Sequence, residues 1–94
     1  MKIEFDDNYF MSKAIDEAMI ALSKGEVPIG AVIVADNKII ARSHNMVEAL
    51  NDVTAHAEIL AITSASNYIG GKFLENCSIY VTLEPCQMLS LIHI

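Results

Sequence analysis

Apolar residues recur every three or four positions over the first part of the chain. Across residues 7–24 this spacing predicts an amphipathic helix, with Asp6 or Asp7 available as its N-cap and Gly25 as its stop. The helix is expected to pack through one face, whose apolar members are Phe10, Ala14, Ala18, Ala21 and Leu22.

Two apolar, β-branched runs follow this helix, at residues 29–35 and 38–43. The Asp36-Asn37 pair that separates them is a hairpin signal. We therefore expect two antiparallel strands joined by a tight turn.

A second helix and a third strand are predicted after a polar connection. The helix covers residues 55–67, with Thr54 as its N-cap. A strand over residues 78–83 then leads to Pro85, which suits the first position of another helix. The order of helix, hairpin, helix, strand and helix start indicates an α/β sandwich with a crossover into the third strand.

Composition narrows the class of protein. The 94 residues make at most one domain, and 53% of them are hydrophobic. The formal net charge of -6 gives no support to nucleic-acid binding, which usually shows itself as a basic patch. Two cysteines favour metal or core use over a disulfide, and Cys77, just ahead of an apolar run, is expected to be buried.

The chain has no feature of a membrane or secreted protein. No apolar run approaches the roughly 20 residues of a membrane span. The N-terminal residues 1–7 are too acidic for a signal peptide. We therefore expect a cytoplasmic protein that makes no membrane contact.

Two short segments carry candidate metal chemistry, TAHAE at residues 54–58 and TLEPC at residues 82–86. A catalytic zinc site needs three protein ligands and one open position for water. His56 and Cys86 supply two such ligands. The position three beyond Cys86, where a third ligand is expected, holds Leu89.

Glu58 lies two residues after His56, within reach of a water on the same metal. This placement favours a proton shuttle over a ligand. Taken alone, His56 would more often be an ordinary helix histidine, and Glu58 an ordinary first-turn acid that suits the helix dipole. Their joint appearance with TLEPC and with VPIGAV at residues 27–32 favours the catalytic interpretation.

The pattern His-x-Glu followed by Pro-Cys-x-x-Cys is the signature of zinc-dependent nucleobase deaminases. This chain resembles that superfamily, and within it the tRNA-specific adenosine deaminases. The residues that carry the resemblance are 26–32, 44–45, 54–58 and 80–88. The resemblance covers the chain from about the first helix to Met88.

The resemblance implies a fold and a cofactor. The fold would be a cytidine-deaminase-like three-layer α/β/α sandwich with a mixed, usually five-stranded sheet, of which this chain holds the first three strands. Its C-terminal strands and helices would be missing. The cofactor would be Zn²⁺, bound by His56 and Cys86, with its third protein ligand at the position now occupied by Leu89.

The resemblance also implies roles for individual residues. Glu58 would be the catalytic acid and base. The side-chain amide of Asn45 would hydrogen-bond the nucleoside, and Ala57 would present its backbone to the base. The alternative for Asn45 is a residue that merely ends a strand. His44 lacks such support, and we expect it on the surface at the strand end.

The leading hypothesis for the intact protein is hydrolytic deamination of adenosine to inosine in a tRNA anticodon loop, by a homodimer. One alternative is a deaminase of guanine or another free nucleobase or nucleotide. A second alternative, from a different class, is that the chain as written is a non-catalytic fragment.

The end of the sequence departs from the family pattern. We interpret residues 1–88 as a partial zinc-dependent nucleoside deaminase domain and residues 89–94 as a non-native tail that contains His93. Translated adapter sequence is the expected origin of the tail. The alternative is a native, divergent C-terminus.

Overall fold

The computed structural model describes residues 5–47, 56–70, 76–82 and 89–93. Four strands form one sheet in the order β2-β1-β3-β4. In chain order the elements are α1 (Asp7–Ser23), β1 (Gly30–Ala35), β2 (Lys38–His44), α2 (Ala57–Ile69), β3 (Cys77–Thr82) and β4 (Leu89–His93).

Helix α1 begins and ends where its sequence predicts. The Asp6 carboxylate accepts a hydrogen bond from the Tyr9 backbone N–H at 2.9 Å, which satisfies one unpaired donor of the first turn. Gly25, at φ 76°, takes the chain out of the helix. The prediction for Leu22 is wrong, because this residue lies about 100° around the axis from Ala21 and is 49% exposed.

The predicted hairpin is confirmed. Asp36 and Asn37 form its two-residue turn with φ angles of 52° and 60°, a conformation that Asp and Asn tolerate better than most residues. The Asn37 side chain also holds the segment before α1: its Oδ1 accepts from the Phe5 N–H at 2.8 Å, and its Nδ2 donates to the Phe5 carbonyl at 2.7 Å.

The two helices cover opposite faces of the sheet, because successive residues of β1 point to opposite faces and are apolar on both. On the α1 face the buried residues are Phe10, Ala14, Val32, Val34 and Tyr80. On the α2 face the buried residues include Ala31, Ile33, Ala57, Ala61, Ala65, Cys77 and Ile79. The predicted three-layer α/β/α sandwich is therefore confirmed, as is the burial of Cys77.

A polar contact joins Tyr80 of β3 to the start of α1. Its hydroxyl donates to the Asp7 carboxylate at 2.6 Å, although the ring is only 4% exposed. Burial raises the pKa of Tyr80 to about 12, and the hydrogen bond to Asp7 and the negative charge of Asp7 add to the effect. The neutral phenol is thereby stabilised in the folded protein.

The sheet departs from the prediction in one respect. It has four strands, not three, because β4 pairs with β3 from Thr82 opposite Leu89 to Ser78 opposite His93. The helix predicted to begin at Pro85 consequently does not extend to Leu89. Without β4, the outer edge of β3 would be left with unpaired backbone groups, and the alternating Leu-Ser-Leu pattern of residues 89–91 suits a strand.

Every described pairing is antiparallel, so the mixed sheet stays a prediction. In the part of the chain that the structure describes, no helix combines the length and the apolar character of a membrane span.

Candidate active site

Three strand ends meet beside the start of α2. Gly30, the first residue of β1, pairs with His44, the last residue of β2. The Gly30 N–H donates to Thr82 Oγ1 at 2.9 Å, and Thr82 is the fully buried last residue of β3. This contact places Thr82, the first residue of the TLEPC segment, at the same end of the sheet as His44.

Helix α2 begins at Ala57, two residues later than predicted. His56 is its N-cap residue, in an extended conformation with φ -83° and ψ 147°. The His56 ring makes no capping hydrogen bond and the residue is exposed. Its imidazole is therefore not committed to the helix, as a ligand role requires. The predicted cap Thr54 lies outside the described residues.

Glu58 stands in the first turn of α2 and is partly buried. One of its carboxylate oxygens, Oε1, is fully buried and has no hydrogen-bond partner within the described residues. Burial of a carboxylate oxygen without a donor is costly, so such atoms in native proteins usually serve a bound group or a reaction. This geometry suits a proton-transferring side chain.

Asn45 holds the helix start from the neighbouring strand. The residue is 3% exposed, and its Oδ1 accepts the Ala57 backbone N–H at 2.8 Å. The Ser43 hydroxyl donates to the Ala57 carbonyl at 2.6 Å, so both backbone groups of Ala57 have partners. A further bond, from the Asn45 N–H to the Ile29 carbonyl at 3.1 Å, fixes the end of β2. The roles of Asn45 and Ala57 toward a nucleoside stay predictions.

The prediction for His44 is wrong. Its side chain is only 13% exposed, and its Nδ1 lies 3.1 Å from a carboxylate oxygen of Glu17. Glu17 is itself buried on α1, with the half-exposed Arg42 at 3.9 Å from its second oxygen. Sequence reasoning missed Glu17, although an acid at the helical spacing of Ala14 and Ala21 was the available signal.

The metal-ligand set is described only in part. Cys86 lies outside the described residues, and within them no group of three His, Cys, Asp or Glu residues converges. An imidazole and a thiolate are donors that zinc prefers, so His56 and Cys86 fit the metal in kind. The hydrocarbon side chain of Leu89, at the start of β4, supplies no donor.

Comparison with known families assigns the fold. A family model for the cytidine and deoxycytidylate deaminase zinc-binding region matches residues 5–91. The chain belongs to this family. The matched region includes Asn45, His56, Glu58 and Cys86, so all the predicted site residues fall within it.

The individual relatives that match the chain indicate a narrower class of deaminase than the family model does. The chain is similar to the tRNA-specific adenosine deaminase of Aquifex aeolicus (strain VF5), with 55% identity over 82 residues that cover 87% of this chain and 54% of the relative. A tRNA-specific adenosine deaminase of Bacillus subtilis (strain 168) is 51% identical over 82 residues, which cover 87% and 51%. The chain therefore spans about half the length of the curated relatives it matches.

Solved structures confirm the cytidine-deaminase-like fold. One, from a study of A-to-I editing by tRNA:A34 deaminases, has a TM-score of 0.78 and 51% identity and covers 85% of this chain and 62% of that chain. A guanine deaminase from Bacillus subtilis has the same TM-score of 0.78 at 38% identity, covering 82% and 50%. The backbone is equally close to both, and sequence identity separates them.

Proposed function

We propose that the intact protein deaminates adenosine to inosine in a tRNA anticodon loop, by zinc-dependent hydrolysis. The observation that carries the reaction class is the buried, unpartnered Oε1 of Glu58, two residues from the uncommitted imidazole of His56. The substrate class rests on the relatives that are 51–55% identical and named tRNA-specific adenosine deaminases.

His56 and Cys86 are the residues that would hold the metal. When bound there, zinc would lower the pKa of a coordinated water to about 7. The Glu58 carboxylate would accept a proton from that water and later donate it to the departing amine, so that one group serves as base and then acid. The products are ammonia and a carbonyl in place of the amine. The third protein ligand is proposed for position 89, where this chain has Leu89.

An anticodon loop suits a recessed site because its bases are already unpaired, so little unstacking energy opposes entry. Asn45 is the proposed reader of the base edge, since an amide both donates and accepts hydrogen bonds. The net charge of -6 opposes RNA binding by this segment, so basic contacts elsewhere in the intact protein are part of the proposal.

Three further assignments belong to the same proposal. The protein works in the cytoplasm, as a homodimer, and residues 1–88 are its partial deaminase domain followed by a non-native tail. Exposed apolar residues on the outer side of α2, Ile59 at 49% and Ile62 at 41%, support the homodimer.

Parallel incubation of the intact protein with an anticodon stem-loop, guanine and cytidine tests the substrate. We expect inosine in the RNA and little conversion of the free compounds. Rapid guanine conversion with unmodified RNA would move the assignment to a free-base deaminase. Absence of turnover on all three, from a protein with a full zinc complement, would contradict the proposal.

A further inference from the structure

We propose that Glu17 is a positioning residue for the active site, acting through His44 on the contact between Asn45 and Ala57. The described contacts alone support the link from Glu17 to the start of α2. The effect of that link on catalysis rests on the proposed function. Nothing in the family motifs points to α1, which contributes no predicted catalytic or ligand residue.

The burial of Glu17 requires a partner. A carboxylate that is 7% exposed is rarely found in proteins unless it is paired. Of its two described partners, His44 is the closer, at 3.1 Å, and its side chain is 13% exposed. Arg42 approaches only to 3.9 Å and its side chain is 49% exposed, so its contribution is weakened by solvent. The Glu17–His44 hydrogen bond is therefore the main contact.

The end of β2 is held from both faces of the sheet. Side chains alternate along a strand, so Ser43 and Asn45 point to the α2 face while His44 points to the α1 face. Ser43 and Asn45 bond the two backbone groups of Ala57. His44, between them, bonds Glu17. Three consecutive residues thus connect α1 to the start of α2.

Gly30 allows α1 to lie close to the strands that connect it to α2. A Cβ on Gly30 would lie 2.2 Å from the Ala14 carbonyl oxygen and 2.7 Å from the Glu17 Cβ, so α1 packs directly on the backbone of β1. Gly30 is also the strand partner of His44. The base of the Glu17 side chain therefore lies close to β1, beside the strand that carries His44.

The contact matters for the site because Ala57 stands between His56 and Glu58. A shift in the end of β2 would move the acceptor of the Ala57 N–H and change where the first turn of α2 begins. The two neighbours of Ala57 would then move with it. A misplacement of about 1 Å at a reacting group costs on the order of 100-fold in rate.

The tautomer of His44 provides a direct test. An ionised carboxylate only accepts hydrogen bonds, so Glu17 requires the proton on Nδ1 of a neutral His44. Nitrogen NMR of the imidazole in this chain, at a pH where His44 is neutral, should give the Nδ1–H form. The same spectrum of Glu17→Ala should lose the preference for the Nδ1–H form, because the acceptor of that proton is removed. An Nε2–H form in the unsubstituted chain would overturn the proposal without any variant.

Amide hydrogen exchange separates positioning from general stability. We expect Glu17→Ala to speed exchange of the Ala57 amide by about tenfold relative to the amide of Ile33 in the sheet core, as loss of one buried hydrogen bond would. Glu17→Gln keeps an acceptor and should restore the slow rate. Asp16→Ala, at the exposed neighbour on the same helix, is the matched control and should leave both amides unchanged.

Equal acceleration of Ala57 and Ile33 in Glu17→Ala would mean that Glu17 only stabilises the fold. Failure of Glu17→Gln to restore the Ala57 rate would contradict the hydrogen-bond argument. Neither measurement uses a substrate or metal, so either result is independent of whether the protein edits tRNA. If the function is confirmed, Glu17→Ala should lower kcat at full substrate saturation, and Glu17→Gln should recover most of it.

Discussion

The Asn45 side chain accepts the backbone N–H of Ala57 at 2.8 Å, and it thereby satisfies one of the donors that a helix start leaves unpaired. Asn45 is 3% exposed and Ala57 is fully buried, so no solvent competes for this bond. The residue that the resemblance implies would contact a nucleoside therefore has a structural role as well, because it holds the start of α2.

Replacement of Asn45 by Ala should destabilise the protein. The Ala57 N–H would remain buried without an acceptor, at a cost of about 1–3 kcal/mol in the free energy of unfolding. Urea unfolding followed by circular dichroism measures this change in the free energy of unfolding. Asn67→Ala, at an exposed position of α2, is the control and should change the free energy by less than about 0.5 kcal/mol.

Asn45→Asp separates the two roles of this residue. The carboxylate keeps an acceptor for the Ala57 N–H, so the substituted protein should fold more stably than Asn45→Ala. It lacks the amide donor, so binding of a nucleoside by the intact protein should weaken by about tenfold or more. Equal affinities of the Asn and Asp forms for nucleoside would remove Asn45 from the binding site.

Substitution of Gly30 should be more harmful than substitution of Gly25. A Cβ at Gly30 meets the Ala14 carbonyl oxygen at 2.2 Å, and such overpacking costs about 1–3 kcal/mol or more. A Cβ at Gly25 would have no atom within 4 Å. Gly25→Ala is therefore destabilised only by the φ of 76°, at a cost of about 1 kcal/mol in the free energy of unfolding. Thermal unfolding of the two variants compares them. An unaffected Gly30→Ala protein would refute the close packing of α1 on β1.

Stability should fall at high pH because of Tyr80. The phenol has an ordinary pKa of 10.0, and burial raises the pKa to about 12 in the folded protein. Below pH 10 both states are protonated and the contribution is fully present. As the pH rises further, the unfolded state ionises first and stability is lost, by up to about 1.4 kcal/mol per pH unit.

The matched control is Tyr80→Phe, measured by urea unfolding from pH 8 to pH 12. It should be about 1 kcal/mol less stable at pH 8, because it lacks the hydrogen bond to Asp7. The difference between the two free energies should narrow above pH 10 and then reverse in sign as the pH approaches 12. Parallel curves over the whole range would mean that Tyr80 ionises as freely in the folded protein as in the unfolded one.

The division of labour between Glu58 and His56 is testable in the intact protein. Glu58→Gln should retain zinc and lose about 10²–10⁴-fold in the chemical step, since only the proton carrier is removed. His56→Ala should lose both zinc and turnover. Metal analysis with single-turnover rates distinguishes them, and loss of zinc from the Glu58 variant would show that its role is wrongly assigned.

Leu89→Cys tests the third ligand in this chain. A thiolate at position 89 should raise the affinity for zinc by several orders of magnitude, because two protein ligands hold the metal far less well than three. Leu89→Ser is the control, with a similar loss of apolar surface and a poor ligand. Stoichiometric zinc in the unsubstituted chain would contradict both the ligand count and the expectation that it is a non-catalytic fragment.

Local chemistry made much of this protein predictable from its sequence. Asp6 and Gly25 bound α1 because capping and left-handed backbone are properties of single residues, and Asp36-Asn37 forms its turn for the same reason. The continuous apolar run of β1 is typical of a strand in a sheet covered on both faces. The HAE and PC motifs placed the chain in its family.

Tertiary packing decided what depends on distant neighbours. Glu17 and His44 are 27 positions apart, and their contact arises because Gly30 lets α1 approach the sheet. Strand β4 pairs along the free edge of β3, whereas the sequence predicted three strands and interpreted residues 89–94 as a non-native tail. Capping and turn chemistry act within a few residues and can be read along the chain, whereas burial and partner choice emerge only when the elements pack.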